Sequence, residues 1–358
     1  MKKFLNLLLA ATLVIGCQQS SYQKSGDLPK PVEVAILLPT NDQQGQKMNK
    51  LITAGLQDGA ARNLSINTYE VSNDADLSKA MQKLLDNKTD VILGPITSDL
   101  TKQAVNAAQG KNVAIISLSN DPSLADKNVH VFGHGPLQQS KKLLKYLKAA
   151  GTNNIIFLLP DNRQTNNLSK ALRDIAVNNE ITVVAMEKYL DTAQSINQAL
   201  DNIEKVVNEL NEDPANLSKA AIYLADEPEN LRILFDRLVN RNLDKKAIIC
   251  GENKIDIDYT EPIDLLFTGV INNPLEIKVL KHAQATYLSW WDKLAYDLGL
   301  ITSDAIGDDN FNQTLFMHRL NNSTAHVSLS GSTRMVDSVA TRQYEIIKRS
   351  GVKYSIAN

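Results

Sequence analysis

A chain of 358 residues with 43% apolar and 22% charged residues is long enough to bury one or two cores. Its net charge of −2 argues against a nucleic-acid footprint. The only two cysteines, Cys17 and Cys250, exclude a disulfide scaffold.

Residues 1–16 read as an export signal. Lys2 and Lys3 form a positive start, and residues 4–15 are an apolar run too short to span a bilayer well. The run ends in Val14-Ile15-Gly16-Cys17, which resembles the lipobox of bacterial lipoproteins. The resemblance implies that Cys17 becomes a lipidated N-terminus; an ordinary secretory signal with a chance cysteine is the alternative. Gln18 stands where such lipoproteins carry an inner-membrane retention Asp, which points to an envelope-facing, outer-membrane anchor. Residues 18–32 read as a flexible tether.

From residue 33 strand and helix patterns alternate. A strand over 33–39 precedes a helix over 43–61 with Met48, Leu51, Ile52 and Leu56 on one face. A strand near 64–71 and a helix carrying Leu77, Ala80, Met81, Leu84 and Leu85 follow. Residues 90–117 then give a strand, a helix and a second strand, so the two strands are expected to be parallel. Gly94-Pro95 ends the first, because proline has no amide donor for the ladder, and Thr97 or Ser98 caps the helix. The loop Leu118-Ser119-Asn120-Asp121-Pro122-Ser123 and a short strand at 129–132 close this first series. Polar loops at carboxyl ends of parallel strands are where open α/β sheets bind ligands.

A second series runs from a helix at 137–150 through strands at 154–160, 181–186, 220–225, 246–250 and 267–271. Its long helix, 193–211, spaces Ile196, Leu200, Ile203, Val206, Val207 and Leu210 at helical intervals. Repeated βα units imply mostly parallel sheets covered on both faces. Two lobes fit better than one sheet of nine or more strands. A helix over 276–299 carries Trp290 and Trp291, for which core packing and ligand stacking are the two readings. The tail shows one further short strand at 343–348, and Cys250 is expected buried at a strand end.

In this order, Val34-Ala35-Ile36-Leu37-Leu38-Pro39, residues 90–95, Ile116-Ser117-Leu118-Ser119-Asn120-Asp121-Pro122-Ser123 and Phe132-Gly133-His134-Gly135 with Gln138-Gln139 resemble the type I periplasmic binding proteins, the family of leucine-type receptors. Phe157-Leu158-Leu159-Pro160-Asp161, Thr268-Gly269-Val270 and Leu294-Ala295-Tyr296-Asp297 extend the likeness, which within that family is to lipoproteins called penicillin-binding protein activators. The resemblance implies an α/β fold of two lobes. Lobe one takes 33–135 and 276–325, and lobe two 136–271 and 330–358. Crossovers fall near 134–137, 271–275 and 325–333.

It also implies a ligand cleft between the lobes. Thr40, Asn41, Ser98, Ser119 and Asn120 match the ligand loops of lobe one, where hydroxyls and helix amides hold a carboxylate; caps and turns alone are the alternative. On lobe two, Glu252 matches the carboxylate that amino-acid receptors keep for the ligand's ammonium, against a solvated glutamate. The run Asn162-Arg163-Gln164-Thr165-Asn166-Asn167 lacks the aromatic-glycine step usual there, so weak binding or none is expected.

No catalytic motif appears, and the five histidines lack metal-ligand spacing. His134, beside the first crossover, reads as structural. No enzyme activity, cofactor or metal is therefore expected. Two functions remain open: a lipoprotein regulator docking on a peptidoglycan synthase, or a receptor delivering a small polar ligand to an ABC importer. One branch of the activators carries a long helical-repeat domain before the binding fold, whereas about a dozen tether residues precede it here, which puts direct synthase activation in doubt.

Overall fold

The computed structural model describes residues 30–357 apart from 217, 260–261, 309, 323–325 and 327. Cys17 and the signal and tether residues 1–29 lie outside the described residues. Residues 31–358 form a compact unit of their own.

The first series is β1 (Val32–Leu38), α1 (Gln43–Asp58), β2 (Leu64–Glu70), α2 (Asp74–Asp86), β3 (Val91–Leu93), α3 (Ser98–Ala107), β4 (Ala114–Ser117) and β5 (Val129–Val131). The second is α4 (Pro136–Ala149), β6 (Asn154–Pro160), α5 (Arg163–Asn178), β7 (Thr182–Tyr189), α6 (Ala193–Glu212), β8 (Ala221–Leu224), α7 (Pro228–Asn240), α8 (Leu243–Lys246), β9 (Ile248–Gly251) and β10 (Asp264–Gly269). Then follow α9 (Glu276–Ala283), α10 (Trp290–Ile306), α11 (Gln313–Asn322), β11 (Ser332–Val336), β12 (Val339–Gln343), β13 (Glu345–Ser350) and β14 (Lys353–Ile356).

Two seven-stranded sheets result, ordered β11-β12-β5-β4-β3-β1-β2 and β14-β13-β10-β9-β8-β6-β7. Within them β1–β5 and β6–β10 pair in parallel. Strand alternation explains the two-sided burial. Val34, Ile36 and Leu38 enter one apolar cluster, while Ala35 and Leu37 enter the cluster on the opposite face. In β6, Ile156 and Leu158 likewise part from Ile155, Phe157 and Leu159. Two α/β lobes, each a mostly parallel sheet between helices, are the outcome.

Three details differ from the sequence reading. The helix expected over 276–299 is two helices, because Gln284 turns left-handed (φ 53°) and Ser289 starts α10 with a capping box closed by Asp292. Helix α11 has no counterpart in that reading. The tail divides between the lobes: β12 pairs in parallel with β5 and antiparallel with β11 in sheet one, and only β13 and β14 join sheet two, beside β10. Residues 332–343 therefore belong to lobe one, and the third crossover is at Tyr344 rather than near 325–333. Arg342 holds it there. Its buried guanidinium donates to the carbonyls of Gly133 (2.5 Å) and Phe132 (3.4 Å), and its Nε donates to Ser330 Oγ (3.0 Å).

Helix α10 packs on lobe one, where Leu294, Tyr296 and Leu298 share a cluster with Met48 and Leu51 of α1. No helix among the described residues is long and apolar enough to cross a membrane.

Candidate functional site

The carboxyl ends of β3, β4 and β9 and the first crossover bring the interlobe groups together. Thr97, rather than Ser98, caps α3 by accepting from the Leu100 amide. Ser98 is then free to pair with the β4 loop, and its Oγ lies 2.7 Å from Ser119 Oγ. Ser119 is buried and also accepts from the Asp121 amide at 3.1 Å. One residue on, exposed Asn120 turns to the crossover. Its Oδ1 accepts from the Gly135 amide (3.3 Å), and its Nδ2 lies 2.9 Å from His134 Nδ1.

Glycines on both sides of His134 make this approach possible. A Cβ on Gly133 would sit 2.2 Å from the Ser119 carbonyl, and Gly135 is left-handed at φ 66°. His134 Nε2 reaches Glu252 Oε2 on lobe two at 2.7 Å, with both side chains buried. The amide of Asn120 donates to Nδ1, so the proton of a neutral imidazole is on Nε2 and points at the carboxylate. Burial pushes the His134 imidazole below its ordinary value, against the pull of Glu252. Burial would raise Glu252, but the hydrogen bond from His134, the charge of Lys254 and the hydroxyl of Tyr223 hold it below the usual carboxylate range.

Tyr223 OH donates to Glu252 Oε1 at 3.0 Å and lies 2.6 Å from Ser140 Oγ. Gln139, fully buried, donates to the His134 carbonyl (2.7 Å) and accepts from the Asn253 amide (2.9 Å) and Thr268 Oγ1 (2.7 Å). Tyr344 OH donates to the same His134 carbonyl at 3.0 Å. The imidazole packs against Trp290, ring centres 4.5 Å apart, and Trp290 stacks on Trp291 at 4.1 Å.

Asn120 and Glu252 thus meet through His134, while Ser98 and Ser119 pair with each other. Thr40 and Asn41 do not join them, because Thr40 Oγ1 donates to Glu70 Oε2 at 2.6 Å and Asn41 is an exposed turn residue. On lobe two the polar run serves α5: Asn162 accepts from the Thr165 amide in a capping box, and Thr165 Oγ1 donates to the Pro160 carbonyl. Glu252 is buried rather than solvated, and Cys250 is buried in β9, its thiol pushed up by burial alone. His134, Tyr223, Gln139 and Arg342 escaped the sequence reading as site residues. The flanking glycines of His134 and the neighbouring Gln138-Gln139 carried only the family likeness, Tyr223 read as an ordinary strand residue, and Arg342 fell just outside the strand expected over 343–348.

A cavity of about 240 Å³ lies at the second crossover, lined from lobe two by Asp256, Phe267 and Tyr354 and from lobe one by Tyr287, Trp290 and Lys293. None of Thr40, Asn41, Ser98, Ser119, Asn120 and Glu252 lines it. Among the described residues no group of three His, Cys, Asp or Glu could hold a metal.

Residues 67–205 match the family model described as periplasmic binding protein. An uncharacterized protein of Rickettsia prowazekii (strain Madrid E) is 33% identical over 333 residues, covering 91% of this chain and 89% of that one. Among solved structures, an ABC transporter substrate-binding protein from Sphaerobacter thermophilus is similar with a TM-score of 0.76 at 13% identity, covering 92% of this chain and 97% of that one. A solute-binding protein of an ABC transporter from R. palustris, in complex with benzoate, gives 0.69 at 14% identity, covering 92% and 96%. The matched family model and both neighbours are named as binding proteins.

Proposed function

We propose that this chain is a periplasmic binding protein by family, as the match over residues 67–205 and the likeness of fold suggest, and that it is an envelope lipoprotein acting through its surface. Its cleft is latched by its own side chains. The observation that carries this reading is the buried His134–Glu252 pair, 2.7 Å apart. In a receptor, closure needs contacts that only the ligand completes. Here Glu252, the carboxylate that matches the ligand-ammonium partner of amino-acid receptors, already has an imidazole N–H and a tyrosine hydroxyl. Ser98 and Ser119 likewise satisfy one another. A ligand amine would have to displace a bond made at no cost in association entropy.

In this reading Cys17 carries the lipid, Gln18 allows outer-membrane sorting, and the partner is a peptidoglycan synthase, as the likeness to penicillin-binding protein activators suggests. Crosslinking in intact cells, followed by identification of the captured proteins, tests it. A cell-wall synthase, captured equally by a Ser119→Ala variant, supports the regulator; capture of an ABC importer's membrane subunits rejects it.

The second reading, a solute receptor, is favoured by the cavity at the second crossover, whose walls come from both lobes. Phe267, Tyr287, Trp290 and Tyr354 supply the apolar surface that small-molecule sites use.

A further inference from the structure

Helix α4 carries Lys141, Lys142, Lys145 and Lys148 and no acidic residue. Its Leu143, Leu144 and Leu147 pack inward in a cluster that includes Ile346 of β13. Residues two apart on a strand share a face, so Lys348 lies on the α4 side of sheet two with Ile346. Lys353 joins that face, because it pairs directly with Ser350 across the β13–β14 hairpin. Five of these six lysines are exposed, all but the half-buried Lys148. Where their ammonium groups find partners, these are uncharged: Lys142 donates to the Tyr344 carbonyl, and Lys148 to the Glu180 carbonyl and Asn153 Oδ1. The acids at the border, Asp174, Glu180 and Asp264, are outnumbered even before Lys170 and Arg173 of α5 are added. In a chain of net charge −2 this is charge segregation.

We infer that this face of lobe two docks on the anionic headgroup layer of a lipid bilayer. Of the basic residues named on this face, all but Arg173 are lysine. Protein interfaces are depleted in lysine and enriched in arginine and aromatic residues, whereas point charges on flexible stems suit a mobile layer of anionic headgroups. Val352, 77% exposed in the β13–β14 turn beside Lys353, supplies an apolar residue for the interface. The inference goes beyond the proposed function and does not depend on lipidation of Cys17.

The test is co-sedimentation of residues 31–358 with vesicles of phosphatidylcholine, with and without phosphatidylglycerol, at low and high salt. Binding to the phosphatidylglycerol vesicles alone, weakened by salt, is expected. Each lysine near such a surface contributes about five-fold in partitioning, so the joint variant Lys141→Glu, Lys142→Glu, Lys145→Glu, Lys348→Glu loses at least several hundred-fold, about five-fold for each lysine charge removed, with the repulsion of the new carboxylates in addition. The matching Lys→Gln set, which guards against a folding defect in the Glu set, loses a comparable share while its thermal melt is unchanged. Lys50, Lys79, Lys102 and Lys111, exposed on lobe one, change net charge equally when made Glu and leave binding intact. Equal binding to pure phosphatidylcholine overturns the inference, as does equal loss from the lobe-one set. Stronger retention on soluble polyglutamate than on vesicles also overturns it, in favour of an acidic polymer as partner.

Discussion

Replacing His134 by alanine strikes a buried bond that joins the lobes. The substitution removes the Nε2–H donor from Glu252, whose side chain is only 3% exposed, and leaves Tyr223 as that carboxylate's remaining side-chain donor. A hydrogen bond to a buried charged acceptor contributes about 1.5–3 kcal/mol. The imidazole also packs on Trp290 at 4.5 Å, an aromatic contact of about 0.5–1.5 kcal/mol. Exposed Asn120 regains water, so its lost bond adds little. The expected destabilisation of the lobe junction is about 3 kcal/mol, roughly a hundred-fold in its opening equilibrium. Urea unfolding followed by tryptophan fluorescence measures it, because Trp290 and Trp291 are the only tryptophans and both sit at this junction. His134→Gln keeps a neutral donor and is expected to recover about half. A loss below about 1 kcal/mol for His134→Ala, or no difference between the two variants, would refute the latch.

Acidification acts on the same pair. Both His134 and Glu252 are held below their ordinary values, so the stability they contribute is full above the unfolded imidazole's range. It is lost as pH falls from about 6.5, and the advantage of wild type over His134→Gln in urea midpoints should close in that direction; a flat difference contradicts it. Arg342→Met leaves the Phe132 and Gly133 carbonyls and Ser330 Oγ without their buried donor. It should cost about 3 kcal/mol, read as a lowered melting temperature; an unchanged melt rejects the role given to Arg342 at the third crossover. Cys17→Ser should release the protein from membranes or leave it unprocessed, as fractionation of cells will show; wild-type processing and location reject the lipid anchor.

Most of the fold was legible because parallel strands buried on both faces leave continuous apolar runs, as in residues 34–38 and 155–159. Their helices keep a clean stripe. The tail was harder: β12 buries only Ala340 and Arg342 and gains its place by pairing with β5, a contact that no local pattern announces. The break at 284–289 followed from a capping box whose acid, Asp292, sits inside an otherwise unbroken amphipathic pattern. In the site, the loop residues could be placed by their strand ends, but His134 and Tyr223 could not. Their meeting with Glu252 spans 118 and 29 positions of sequence, and a buried imidazole looks structural until its carboxylate is seen.

Titration calorimetry of the wild-type protein with the common amino acids and muropeptide fragments tests the latched cleft most directly. No measurable heat of binding is expected, because Glu252, Ser98 and Ser119 are already bonded within the protein. Tight, stoichiometric binding of a free amino acid that Ser119→Ala or Asn120→Ala abolishes would contradict it and make the chain a solute receptor.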